Sequence, residues 1–118
     1  MGSELFRIVL RRRIGEGQLE AFRRLAEELT ARAEAEPDTL AYEWYVSDDG
    51  TDSYQVETYP NSAALLSHLS GLKESPPKSP RVAAVTEALV FGSPNAEARE
   101  ALSAMGPKYF PLLVGCTR

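Results

Sequence analysis

Apolar and polar residues alternate from Leu5 to Arg13. Phe6, Ile8 and Leu10 fall on one side of an extended chain, and Leu5, Arg7, Val9 and Arg11 on the other, so the period of two predicts a strand. Gly15 and Gly17 break the pattern. Beyond them the period lengthens: Leu19, Phe22, Leu25, Ala26, Leu29 and Ala33 recur at spacings of three and four, one apolar stripe of a helix over residues 18–35. Glu36-Pro37 ends it, because the residue before proline avoids the helical region. Alternation returns from Leu40 to Ser47, with Tyr42, Trp44 and Val46 against Ala41, Glu43 and Tyr45. Neither side of that strand is wholly polar, so both are expected to pack. Asp48-Asp49-Gly50 is a tight-turn signal. A third strand runs from Ser53 to Tyr59, with Tyr54, Val56 and Thr58 alternating with Gln55, Glu57 and Tyr59, and Pro60 stops it.

Asn61 or Ser62 can cap the next helix by accepting a backbone N–H, and that helix is expected to reach about Leu69. Residues 71–80 hold three prolines and are expected to form an irregular loop, either a connector or a lid. A short helix is expected over Arg81 to Val85 and a fourth strand over Glu87 to Gly92. Ser93-Pro94 suits the cap and first turn of a helix running through Ala104. Gly106-Pro107 ends it, and Lys108 to Val114 is a final apolar segment expected at a sheet edge. This order implies an α+β fold: a ferredoxin-like antiparallel sheet with helices on one face. The other face is assigned semi-apolar residues, Val9, Ala41, Tyr45 and Tyr59, which a second copy of the chain would cover in an isologous dimer.

At 118 residues the chain is one domain, and 43% hydrophobic with 25% charged residues is an ordinary globular balance. A net charge of -4 argues against a general nucleic-acid binder. The basic run Arg11-Arg12-Arg13 reads as a solvated strand end, with Glu16 and Glu20 nearby. The single cysteine, Cys116, permits no intramolecular disulfide, which fits a reducing cytoplasm. No apolar run approaches membrane-spanning length, and the N-terminus carries neither a signal-peptide core nor, at Met1-Gly2-Ser3, a myristoylation motif. One His and one Cys cannot build a usual zinc site, and Asp48, Asp49 and Asp52 lack calcium-loop spacing. Gly15-Glu16-Gly17 lacks the third glycine of a dinucleotide fingerprint. No metal and no cofactor is therefore expected.

Three groups of side chains can carry chemistry. His68, the sole histidine, sits on the helix beside Leu65 and Leu69. An imidazole exchanges protons near neutrality, so His68 is either a base or a boundary residue bonded to backbone or solvent. Tyr42, Trp44, Tyr45, Tyr54 and Tyr59 concentrate in two adjacent strands. They can wall a site for a flat aromatic ligand or simply pack, and alternation prevents all of them from facing one pocket. Glu43 and Glu57 lie inside strands, where a carboxylate can orient His68 or, the expected arrangement, pair with Arg7 or Arg11 across the sheet.

Taken in order and spacing, several segments resemble the antibiotic biosynthesis monooxygenase family. They are Gly17-Gln18-Leu19-Glu20-Ala21-Phe22, Glu36-Pro37 followed by Tyr42-Glu43, the Asp49-Gly50 turn, Glu57-Thr58-Tyr59, and Ala63-Ala64-Leu65-Leu66-Ser67-His68-Leu69. The likeness covers most of residues 5–92 as a core, with 93–118 as a helix-and-strand extension. It implies a dimeric α/β barrel with a pocket in each subunit between sheet and helices. It also implies a cofactor-independent monooxygenase acting on a small phenolic, quinol or anthrone-like substrate, with His68 as base and Tyr42, Trp44, Tyr45, Tyr54 and Glu57 about the substrate. Haem-degrading relatives carry an Asn on the first strand and a haem-ligating His; the matching positions here hold Leu10 and Lys78, which speaks against haem. Two other readings stand beside the monooxygenase. One is a non-catalytic dimeric module binding a small ligand or a protein, favoured by a pocket too small for a bicyclic ring or by a solvent-facing His68. The other is an isomerase- or lyase-type reaction using only the base.

Overall fold

The structure is a computed structural model that describes residues 4–118; the Met1-Gly2-Ser3 start lies outside the described residues. The described residues form five strands and three α-helices, in the order β1 (Phe6–Arg13), α1 (Leu19–Glu34), β2 (Ala41–Val46), β3 (Asp52–Tyr59), α2 (Ser62–Glu74), β4 (Val85–Phe91), α3 (Ala96–Leu102) and β5 (Lys108–Phe110). The strand order is β2-β3-β1-β4-β5. The first four strands form the antiparallel ferredoxin-like sheet, and β5 adds to β4 in parallel at the edge.

Period-two alternation decides what each face holds. Phe6, Ile8 and Leu10 from β1, Tyr59 from β3, and Ala88 and Val90 from β4 turn toward the helices and form the core with Leu65 and Leu102. On α1 the stripe Phe22, Leu25, Leu29 and Ala33 is buried. Tyr59 is completely buried in this layer rather than on the outer face, because it shares parity with Gln55 and Glu57.

Three expectations about the second half of the chain are corrected. Helix α2 does not stop near Leu69 but continues to Glu74, since the first proline stands at Pro76. Its last turns are held by Arg32 of α1, whose Nη2 donates to the Gly71 carbonyl at 3.0 Å. Residues 81–84 form no helix; Val85 already pairs with Arg12, across an irregularity in the β1–β4 register after Arg11. Helix α3 is capped by Asn95, whose Oδ1 accepts from the Ala98 N–H at 2.9 Å, two residues beyond the expected Ser93. Asn61 caps α2 in the same way, and the Ser62 hydroxyl instead accepts from the Asn95 N–H at 2.9 Å, tying the starts of α2 and α3 together. The proline-rich loop after α2 is anchored to α1: the Lys78 and Ser79 N–H groups both donate to the Glu28 carboxylate, at 2.5 and 2.7 Å. Among the described residues no helix is long and apolar enough to cross a membrane.

Candidate functional site

Beneath the helices, the side of β3 that faces the core is polar where a core strand is normally apolar. Ser53, Gln55 and Glu57 are all buried. They face the core because they alternate with Tyr54, Val56 and Thr58, and register places Glu57 between Ile8 and Tyr42, and Gln55 between Leu10 and Trp44. Buried polar groups are stable only when bonded. Gln55 Nε2 donates to Glu57 Oε2 at 2.8 Å, the Tyr59 hydroxyl donates to Glu57 Oε1, and Arg12 Nη1 donates to Gln55 Oε1.

His68 comes down from α2 onto this strand. It is only 3% exposed, so it is a core histidine and not the boundary residue that was one of its two expected readings. The reason is helical spacing: Ala64, Leu65 and His68 lie on the buried side of α2 together. Its Nδ1 is 2.7 Å from Glu36 Oε1, and its Nε2 is 3.9 Å from Glu57 Oε1, beyond hydrogen-bond reach. The ring lies against Tyr42 and Tyr59, with centroids 5.4 and 5.8 Å away. Glu36 also accepts from the Thr39 hydroxyl at 2.8 Å, which fixes the carboxylate at the end of α1.

The electrostatics follow from burial. Two donors converge on the Glu57 carboxylate and the charges of His68 and Arg12 favour its ionised form, yet desolvation outweighs them and raises its pKa. Desolvation likewise raises the phenol pKa of Tyr42 and of Tyr59, with Glu57 adding to both shifts. The Arg12 pKa is lowered, chiefly by desolvation. His68 thus presents one ring nitrogen to Glu36 and turns the other toward Glu57, whose pKa burial raises.

A cavity of about 840 Å³ opens between α1 and β2. Its walls include Phe22, Ala26 and Thr30 from α1 and Tyr42, Trp44 and Val46 from β2. Trp44 stands edge-on to Phe22 at 5.5 Å and to Tyr42 at 5.9 Å. His68 is not itself in this wall; Tyr42 is, with its ring also packed on His68.

Of the residues singled out from sequence, Tyr42, Trp44, Glu57 and His68 share this side of the sheet. Tyr45 and Tyr54 do not join them: they are each other's register partners on the opposite face, 54% and 40% exposed. The expected pairing of Glu57 with Arg7 or Arg11 is also absent, because those arginines project from the other face; Arg11 bonds Asp52 instead, at 3.2 Å. Glu43 is exposed on that outer face. Sequence reasoning missed Glu36, read only as a helix end, and Arg12, read as solvated but only 8% exposed. The parity of Arg12 with Phe6, Ile8 and Leu10 was the available signal for its burial. Nothing local announces Glu36, whose partner is 32 residues away. Among the described residues, no group of three or more His, Cys, Asp or Glu side chains is placed to hold a metal ion.

Comparison with known proteins agrees with this architecture. MupZ from Pseudomonas fluorescens superposes with a TM-score of 0.85 at 24% identity, over 100% of this chain and 92% of its own. PA3566 from Pseudomonas aeruginosa gives 0.56 at 23% identity over 76% of this chain and 91% of its own. Rv0793 from Mycobacterium tuberculosis gives 0.51 at 22% identity over 77% and 96%. At these identities the likeness speaks for the fold alone. No curated protein matches the chain. The family model described as antibiotic biosynthesis monooxygenase matches residues 5–72, more than half of the sequence and the whole span from β1 through the His68 turn of α2. The chain therefore belongs to the antibiotic biosynthesis monooxygenase family.

Proposed function

We propose that this protein is an enzyme that moves protons at a buried His68–Glu57 pair, and that its reaction is the cofactor-independent oxidation by dioxygen of a small phenolic, quinol or anthrone-like substrate. The observation that carries the reading is Tyr42, which stands in the wall of the α1–β2 cavity and packs on His68 behind it. That position couples a ligand-sized space to a base held by Glu36. The cavity is large enough for a fused-ring ligand, since pockets of roughly 300–1,000 Å³ hold drug-sized molecules. Both the volume and the buried histidine favour an enzyme over a non-catalytic binding module.

In this scheme the substrate lies between Phe22, Trp44 and Tyr42. Tyr42 turns aside in this scheme so that His68 Nε2 reaches and takes the acidic proton, and Glu36 stabilises the imidazolium through Nδ1. The carbanion or phenolate reduces dioxygen, a C–O bond forms, and the peroxide collapses. One oxygen atom stays in the product as a carbonyl; the other leaves as water with the two hydrogens lost from the substrate. The protein supplies orientation, desolvation and a fixed dipolar surrounding. The working unit is a homodimer joined through the outer sheet face.

Oxygen consumption against a panel of quinols and anthrones tests the reading. The wild-type protein should exceed the autoxidation rate, and His68→Ala should lower kcat by roughly 10²–10⁴-fold, the range for loss of a general base. Equal uptake by both proteins removes His68 from its role. A second reading has its own observation: Glu57, whose pKa burial raises, stands beside His68 and is suited to a redox-neutral acid–base reaction such as an isomerisation or elimination. Turnover that continues unchanged under anaerobic conditions decides for that reading.

A further inference from the structure

Next to the proton-transfer pair, the same face of the sheet holds a cluster of hydrogen-bond donors that the proposed reaction leaves idle. Arg12 is buried, and its acceptor among the described residues is the neutral Gln55 Oε1; no carboxylate lies within ion-pair distance of it. A buried guanidinium offers five donors, and leaving its charge without an adjacent anion is costly. Its carbon stands 5.3 Å from the centroid of the Trp44 ring. Ser53 is the register partner of Arg12 on β3 and only 1% exposed, and its hydroxyl has no partner. The indole Nε1 of Trp44, a residue of the neighbouring strand whose side chain lines the cavity, is also buried without a partner. A second cation, Arg81 on the loop that leads into β4, lies close enough to disfavour the charge of Arg12. One buried cation and two donors without partners thus meet at one corner, and among the described residues no carboxylate lies within ion-pair distance of that cation, Glu57 acting on it only from farther away.

We propose that this corner is a subsite for a carboxylate carried by the substrate. This rests on the reading that the α1–β2 cavity takes the substrate, and it narrows the substrate class to an aromatic or other largely apolar acid. The guanidinium of Arg12 matches a carboxylate in plane and charge, and the Ser53 hydroxyl and Trp44 indole N–H can donate to the same group. A monoanion gives the buried Arg12 a charge partner at contact, which Glu57, beyond ion-pair distance, does not supply. Neither Arg12 nor Ser53 stands in the cavity wall, whereas Trp44 does, so in this proposal the Trp44 side chain has to turn before a ligand in the cavity reaches them.

Trp44 is the sole tryptophan, so its indole N–H resonance in the full-length ¹⁵N-labelled protein reports on the corner alone. We would titrate it with benzoate and 2-naphthoate and with the corresponding neutral amides. The acids should shift the resonance saturably and bind roughly ten- to a hundredfold tighter than the amides, the range for a charge-assisted bond in a dry site. Arg12→Gln should abolish that preference. Ser53→Ala, which deletes only a hydroxyl that bonds nothing, should reduce it severalfold, and decides the matter should Arg12→Gln fail to fold. Equal binding of acids and amides, no shift with either acid, or a preference that survives these substitutions overturns the proposal. His68→Ala should keep the preference for acids, and an intact preference in a wild-type protein that consumes no oxygen sinks the monooxygenase and spares the subsite.

Discussion

Glu57 is a carboxyl buried in the core of the molecule. Its folded pKa is raised by burial, and in the unfolded chain it returns to the ordinary carboxylate range. A carboxyl raised in this way contributes its full stability below the unfolded pKa and loses it as pH climbs through the folded value. Glu57→Gln removes that titration. Urea unfolding of both proteins between pH 4 and pH 8 should show the wild type losing stability relative to the variant as pH rises. The loss amounts to about 1.4 kcal/mol for each unit by which the folded pKa exceeds the unfolded one. Parallel curves would mean that Tyr59, Gln55 and Arg12 compensate the buried charge fully. At this scale, residue type marked Tyr42, Trp44, Glu57 and His68 as candidates together with Tyr45 and Tyr54, and parity set Tyr42 and Trp44 apart from Tyr45; the raised pKa of Glu57 was not legible, because it comes from desolvation by elements distant in sequence.

Elements meet at backbone positions as well as through side chains. Gly92, directly after β4, has φ of 128°, and a Cβ built there would stand 2.6 Å from Phe6 Cβ and 3.1 Å from Phe6 Cα. Gly106 ends the 3₁₀ turn at Ser103–Met105 with φ of 58°, and nothing lies within 4 Å of its Cβ position. Both glycines adopt angles costly for other residues, but only Gly92 adds a collision with the core strand. Gly106→Ala should cost about 1 kcal/mol from backbone strain alone, and Gly92→Ala more than about 2 kcal/mol. Thermal and urea denaturation of the pair measure the difference, and equal costs would show that Phe6 yields. The elements themselves were readable wherever one period ran long enough, as on β1, α1 and β3. Where the reading failed, at the end of α2 and at residues 81–84, prolines and small residues gave ambiguous local signals. There the outcome was decided by the Arg32–Gly71 bond and by pairing of Val85 with Arg12.

The whole molecule leaves its outer sheet face unfinished. Tyr45 and Tyr54 are exposed side by side, and Phe91 and Phe110, with rings 5.5 Å apart, are about 40% exposed nearer the other edge. An aromatic surface of this kind on an open sheet favours association. Sedimentation should therefore find the wild-type protein at twice the mass of one chain. Tyr54→Asp, which sets a charge on that face without touching the His68 side, should weaken the dimer at least tenfold. A wild-type protein that stays monomeric at every concentration removes the face from this role, and with it the reading of Tyr45 and Tyr54 as interface residues.

By itself the sequence determined most of the succession of strands and helices, the ferredoxin-like topology that this succession allows, and, on β1 and α1, which side turns inward. These follow from periodicity, a local property in which each residue is judged against neighbours three or four positions away. The sequence set Tyr59 on the outer face, where the structure buries it in the core. Only the tertiary structure decided that Glu36 grips His68, that Glu57 faces His68 rather than an arginine, and that Arg12 lies buried against Trp44 without a carboxylate. Those pairings join residues between 11 and 32 positions apart, and the protonation states they set depend on the water excluded when the helices close over the sheet. Desolvation belongs to the assembled molecule, so no stretch of sequence carries it.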